Sequence, residues 1–151
     1  MTNRQNVVMG VLVVASALAA TLWADQAGKS TMHSTVFDWN ALKVEEKPHG
    51  ARREVFDAPT ATLDRLECHV TTLKPGAVPH AAHKHAEEEL IIVKVGTLEV
   101  VQNGMTNQAA TGSVIFEGSN EVHGLRNTGS TTATYYVFKW YPHGTAKDKK
   151  P

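Results

Sequence analysis

Short apolar runs alternate with turn-forming residues along most of this chain. From residue 66 onward the runs are LECHVTTL (66–73), ELIIVKV (89–95), TLEVVQ (97–102), SVIF (113–116) and TYYVFKW (134–140). Each is rich in β-branched or aromatic residues and bounded by Gly, Pro, Asn or Ser, the pattern of strands. Asn103-Gly104 divides one hairpin, because both residues tolerate positive φ. KPGAVP at 74–79 breaks the chain before a histidine-rich loop. Upstream, VFDW at 36–39 reads as a short strand, and a further strand is expected near Arg53–Phe56, among loops marked by Pro48, Gly50 and Pro59. Turn signals recur about every 8–12 residues, and no useful helical period follows residue 24. The expected fold is all-β, a sandwich or barrel.

The first two dozen residues follow a different pattern. Arg4 precedes an apolar stretch, Val7 to Ala20, that ends among small residues. This is the layout of a secretory signal peptide, with cleavage after Ala19 or Ala24; an uncleaved membrane anchor is the alternative. The expected organisation is therefore a signal peptide or anchor at 1–24, a flexible linker at 25–35, one barrel domain at 36–142 and a polar tail at 143–151. The expected location is periplasmic or secreted, with the membrane involved only through that anchor.

Composition narrows the chemistry. The net charge is zero, so nothing favours nucleic acid as a partner. The chain has one cysteine, Cys68, which excludes an internal disulfide and a thiolate cluster. A metal site must use nitrogen and oxygen.

Such ligands crowd HAAHKHAEEE at 80–89. Side chains alternate faces along a strand. If Glu89 points inward, so do Ile91, Val93 and Val95, and Lys94 points out. Glu87 and Glu88 then belong to the turn or the surface. His83 and His85 share a face by the same parity, and His123, opening a later strand, is the candidate fourth ligand. Leu90 and Ile92 project from the opposite face. Either the segment 36–56 or a second subunit, as a homodimer, would cover them.

These residues resemble the cupin superfamily. Its first motif is written G-x5-H-x-H-x3/4-E-x6-G. Gly76, His83, His85, Glu89 and Gly96 match it, with one extra residue after Gly76. Its second motif is G-x5-P-x-G-x2-H-x3-N. Gly112, His123 and Asn127 match, whereas Gly118 and Asn120 stand where proline and glycine are usual. The resemblance is close over 76–127 and holds in outline over 54–140. It implies a single conserved-barrel domain, a cupin double-stranded β-helix (jelly-roll barrel). It also implies one divalent transition metal on His83, His85, Glu89 and His123. Manganese or iron is favoured for that ligand set, with nickel, copper, cobalt and zinc also compatible.

Catalysis would need a positioned acid or base besides the metal. Candidates are Arg53, Tyr135 and Tyr136, with Glu54, Cys68 and Trp140 behind them; only one of the adjacent tyrosines can face the lumen. Arg53 would suit a substrate carboxylate. His80 is read as a rim residue or an outer partner of a ligand, His69 as structural or surface, and His33, His49 and His143 as solvated. Two functions follow: a metal-dependent dioxygenase, isomerase or lyase acting on a small molecule, or a binding module without turnover.

Overall fold

A computed structural model describes residues 30–144. The expected signal or anchor segment, most of the linker and the end of the tail lie outside the described residues. Within them no helix is long and apolar enough to cross a membrane.

Nine strands make two sheets. They are β1 (Val44–Lys47), β2 (Gly50–Ala58), β3 (Leu63–Leu73), β4 (Glu88–Val95), β5 (Thr97–Gln102), β6 (Met105–Ala110), β7 (Val114–Glu117), β8 (His123–Asn127) and β9 (Ala133–Pro142). The larger sheet has the order β1-β2-β3-β9-β4-β7 and the smaller one β6-β5-β8; every pairing is antiparallel. The inner faces meet in a core of Leu73, Ile91, Val93, Leu98, Val100, Ala109, Ile115, Ala133, Tyr135 and Val137. Each core strand contributes alternate residues, as a pleated element with one face against another sheet must. Fully burying one such side chain contributes about 1.5–3 kcal/mol.

Asn103 and Gly104 take φ of 48° and 82°, the two positive values that a tight β5–β6 hairpin needs. Gly96 turns β4 into β5 at φ 93°, and a Cβ there would lie 2.8 Å from Ala133 Cα, so only glycine fits.

Two local expectations are corrected. VFDW is not a strand: the Asp38 carboxylate accepts from the Asn40 N–H at 2.8 Å and starts a 3-10 turn over Trp39–Ala41. The first strand is instead Val44–Lys47, paired along β2. Val95 is half exposed rather than inward, because a bulge between Val93 and Val95 resets the alternation. Glu89, Ile91 and Val93 do point inward, and Lys94 lies outside, its ammonium 3.5 Å from the Trp39 ring centre.

The outer face of the larger sheet is also apolar. Cys68 and Val70 are buried there, Phe37 packs on Phe56, and Trp39 packs near Tyr136. At the far edge Val114 and Phe116 stay open, 62% and 52% exposed.

Candidate metal centre

The loop between β3 and β4 delivers His83 and His85, and the first residue of β8 is His123. Two main-chain hydrogen bonds between His83 and His123 dock the loop onto β8. A third contact ties the turn before β8 to the same loop: the Asn120 N–H donates to the His85 carbonyl at 2.7 Å. Asn120 adopts φ 58°, so asparagine does here what glycine does in the motif.

One ring nitrogen from each of His83, His85 and His123 lies within 4.8 Å of the other two. Two of the rings have a fixed tautomer. His85 Nδ1 donates to the Glu87 carbonyl and His123 Nδ1 to the Glu121 carbonyl, both at 2.9 Å. A carbonyl only accepts, so Nδ1 carries a proton and Nε2 is the nitrogen of each ring left to meet a ligand. Both Nε2 atoms are buried without a hydrogen bond. Burial and the neighbouring His80, His123 and His85 rings lower the His83 pKa to about 4, which leaves this imidazole neutral at pH 7.

Glu89 stands beside the histidines. Its Oε1 is 3.2 Å from His85 Nε2 and 2.7 Å from the Lys139 ammonium. Lys139 takes the hydrogen bond, and the same oxygen faces His85 Nε2, so a cation shared by the two would fit between them. Despite burial, Lys139 and the neighbouring histidines hold the Glu89 carboxyl below its ordinary value, so it is ionised. Three clustered imidazoles, two with Nε2 buried and unpartnered, beside a carboxylate fit a divalent transition metal.

A cavity of about 420 Å³ opens above His83, Glu89 and His123. Arg52, His69, Tyr135 and Lys139 also line it. Tyr135 is the lumen tyrosine, with a phenol that burial raises above its ordinary value. Tyr136 faces outward against Trp39 and Phe138. Arg53 also lies outside, its guanidinium 4.5 Å above the Trp39 ring. The arginine that lines the cavity is its neighbour Arg52, hydrogen-bonded to Glu54 and Glu67. Cys68 sits on the outer face, its thiol pushed up to about 12 by burial and by Glu54 and Glu67. Trp140 donates to Glu88 at 3.1 Å. His69 lines the cavity with Nδ1 3.2 Å from Glu67, and His80 stands edge-on to His83 at the rim.

Sequence reasoning passed over three site residues: Arg52, Lys139 and Glu117. Glu117 pairs with Glu89 in the β4–β7 register and is 1% exposed. Its Oε2 accepts from Gln102 at 2.8 Å, its Oε1 has no partner, and burial raises its pKa. The alternation that placed Glu89 would have found two of them, since Ile115 and Glu117 share a face, as do Tyr135, Val137 and Lys139.

Comparison with known proteins agrees with this architecture. Residues 69–139 match the cupin domain family model, Cupin_2. An RmlC-like cupin from Shewanella frigidimarina superposes with a TM-score of 0.59 at 16% identity, covering 77% of this chain and 96% of its own. A predicted oxalate decarboxylase from Thermotoga maritima gives 0.59 at 20% identity, over 71% and 99%. The polyketide cyclase RemF from Streptomyces resistomycificus gives 0.59 at 22%, over 78% and 89%. The chain is a cupin-fold protein.

Proposed function

We propose that this protein binds one divalent transition metal through His83, His85, His123 and Glu89 and is a metal-dependent enzyme acting on a small molecule. The observation that carries the reading is the pair of buried, unpartnered Nε2 atoms on His85 and His123, their rings oriented by main-chain carbonyls beside the Glu89 carboxylate. Such an ion supplies Lewis-acid polarisation of a substrate oxygen. The protein's own residues do the rest. The cavity admits a compact polar molecule. Arg52, held by Glu54 and Glu67, offers its remaining N–H groups to an anionic or carbonyl oxygen. Tyr135 presents a protonated phenol that can donate a hydrogen bond but is not a base.

The reaction proposed is of the dioxygenase, isomerase or lyase type, with manganese or iron as the ion. An open cavity beside the proposed ligands, lined by Arg52, Tyr135 and Lys139, supports turnover over simple binding. We further propose export by the N-terminal segment, and a homodimer that covers Val114 and Phe116.

Elemental analysis of protein from its native compartment tests the metal. Oxygen uptake and product formation by the manganese- and iron-loaded forms, against a catechol, oxo-acid and sugar panel, test turnover. Metal without turnover across the panel would favour a binding module; no metal and no uptake would end the reading.

A further inference from the structure

Glu117 is the buried group that the reading above leaves without a task. Its place in β7 alternates with Ile115, so an apolar side chain would suit it. Instead a carboxyl is buried at 1% exposure, which is costly unless both oxygens find partners. Gln102 of the smaller sheet fixes one oxygen, reaching it while also donating to the Phe116 carbonyl. That hold orients the other, as outer partners orient metal ligands. The buried side-chain nitrogens and oxygens without a hydrogen bond, among the described residues, are three: His85 Nε2, His123 Nε2 and Glu117 Oε1. Glu117 lies opposite Glu89 across β4–β7, and Gln102, which holds it, lies opposite His123 across β5–β8, so register sets Glu117 beside the residues of the site.

Charge points the same way. Lys139 already neutralises Glu89. Imidazoles supply no negative charge and the Glu89 carboxylate is already paired, so one more carboxylate would halve the uncompensated charge of a bound dication.

We propose that Glu117 Oε1 is a second carboxylate ligand, alongside Glu89, of the ion held by His83, His85 and His123. The inference rests on the metal reading above. It departs from the four-ligand set that the motif implies.

Manganese(II) titration of the full chain separates the two. Three quantities are measured for wild type, E117Q and E117D: affinity by chelator competition, exchangeable waters on the ion by proton relaxation, and melting temperature without metal. In E117Q the affinity should fall at least tenfold and the ion should gain one water. The metal-free melting temperature should not fall, because glutamine keeps the Gln102 contact and buries no charge. E117D, which keeps the charge with shorter reach, should fall between and guards against a folding defect in E117Q. Wild-type affinity and water count in both variants would overturn the proposal, assigning Oε1 to a proton or a water, while leaving the metal reading intact. Failure of the wild type to take up metal would overturn the metal reading itself.

Discussion

His83 and His123 exchange main-chain hydrogen bonds in both directions, at 3.0 and 2.9 Å, and so set their imidazoles side by side with centroids 4.8 Å apart. The bridge uses backbone atoms only. Removing a side chain therefore deletes a ligand without undocking the loop. His83 is exposed, so His83→Ala should change metal-free stability by no more than about 0.5 kcal/mol. Metal affinity should fall by more than about 10-fold, since the loss of an outer partner alone costs 10–100-fold. In wild type, metal at 100 times its Kd should add about 2.7 kcal/mol of stability, reversed by a chelator. Calorimetry with and without manganese checks both numbers. Equal metal-induced shifts in the two proteins would remove His83 from the site.

Acid should unfold the domain partly through Glu67. Its carboxyl is held down at about 2 by the hydrogen bond to His69, against the cost of burial, with further help from His69, Arg65 and Lys139. The folded state thus binds this proton more weakly than the unfolded chain does, with its ordinary value of 4.5. Its contribution is complete above about pH 4.5 and is lost as the pH falls through the window down to about 2. A shift of that size corresponds to on the order of 3 kcal/mol. Urea unfolding at pH 7, 4 and 2.5 should show a steeper loss for wild type than for Glu67→Gln, which is weaker at neutral pH and flatter in acid. Parallel curves would show that Glu67 does not carry the acid sensitivity.

The outer sheet face yields a prediction about assembly. Phe116 is 52% exposed and stacks near Trp140, with Val114 beside it, while Phe37 and Trp39 cover the other end of the sheet. Apolar surface left open on one edge is what a second copy would bury. Phe116→Glu should shift the mass measured by light scattering from dimer to monomer without changing the circular dichroism. A monomeric wild type at micromolar concentration would remove the dimer.

Much of the site was legible because strand parity and motif spacing are local. The parity of ELIIVKV sends Glu89, Ile91 and Val93 inward, and all three are buried. Parity failed at Val95, where a bulge not visible in the residue pattern inserts one position. It was ambiguous for Arg52 against Arg53, since two adjacent arginines leave the choice to register. The Trp39 ring that claims Arg53 arrives by a 3-10 turn that Asp38 caps locally. Asn127 shows another limit. Its spacing from His123 marked it, yet its role depends on distant chain. Its side-chain NH₂ serves the Leu73, Lys74 and Thr131 carbonyls, and its Oδ1 accepts from the Gly129 N–H. The Leu73 and Lys74 carbonyls, 54 and 53 residues away, have no signature in the local pattern.

Lys139 couples the fold to the proposed ligand Glu89. Its ammonium bonds the Glu89 carboxylate at 2.7 Å, with both side chains largely buried. Removing one member of such a pair leaves an uncompensated charge and costs about 3–5 kcal/mol. Lys139→Met should therefore weaken the metal-free protein by that order, measured by urea unfolding. With the ion bound, the carboxylate has a second cation and the penalty should shrink. By linkage the difference appears as affinity: Lys139→Met should bind manganese more tightly than wild type, about tenfold for each 1.4 kcal/mol recovered. An ammonium 2.7 Å from a ligand oxygen competes with a metal for the same charge, and its removal ends that competition. The same penalty with and without metal, and unchanged affinity, would mean that Glu89 serves Lys139 alone and that the ion is held without it.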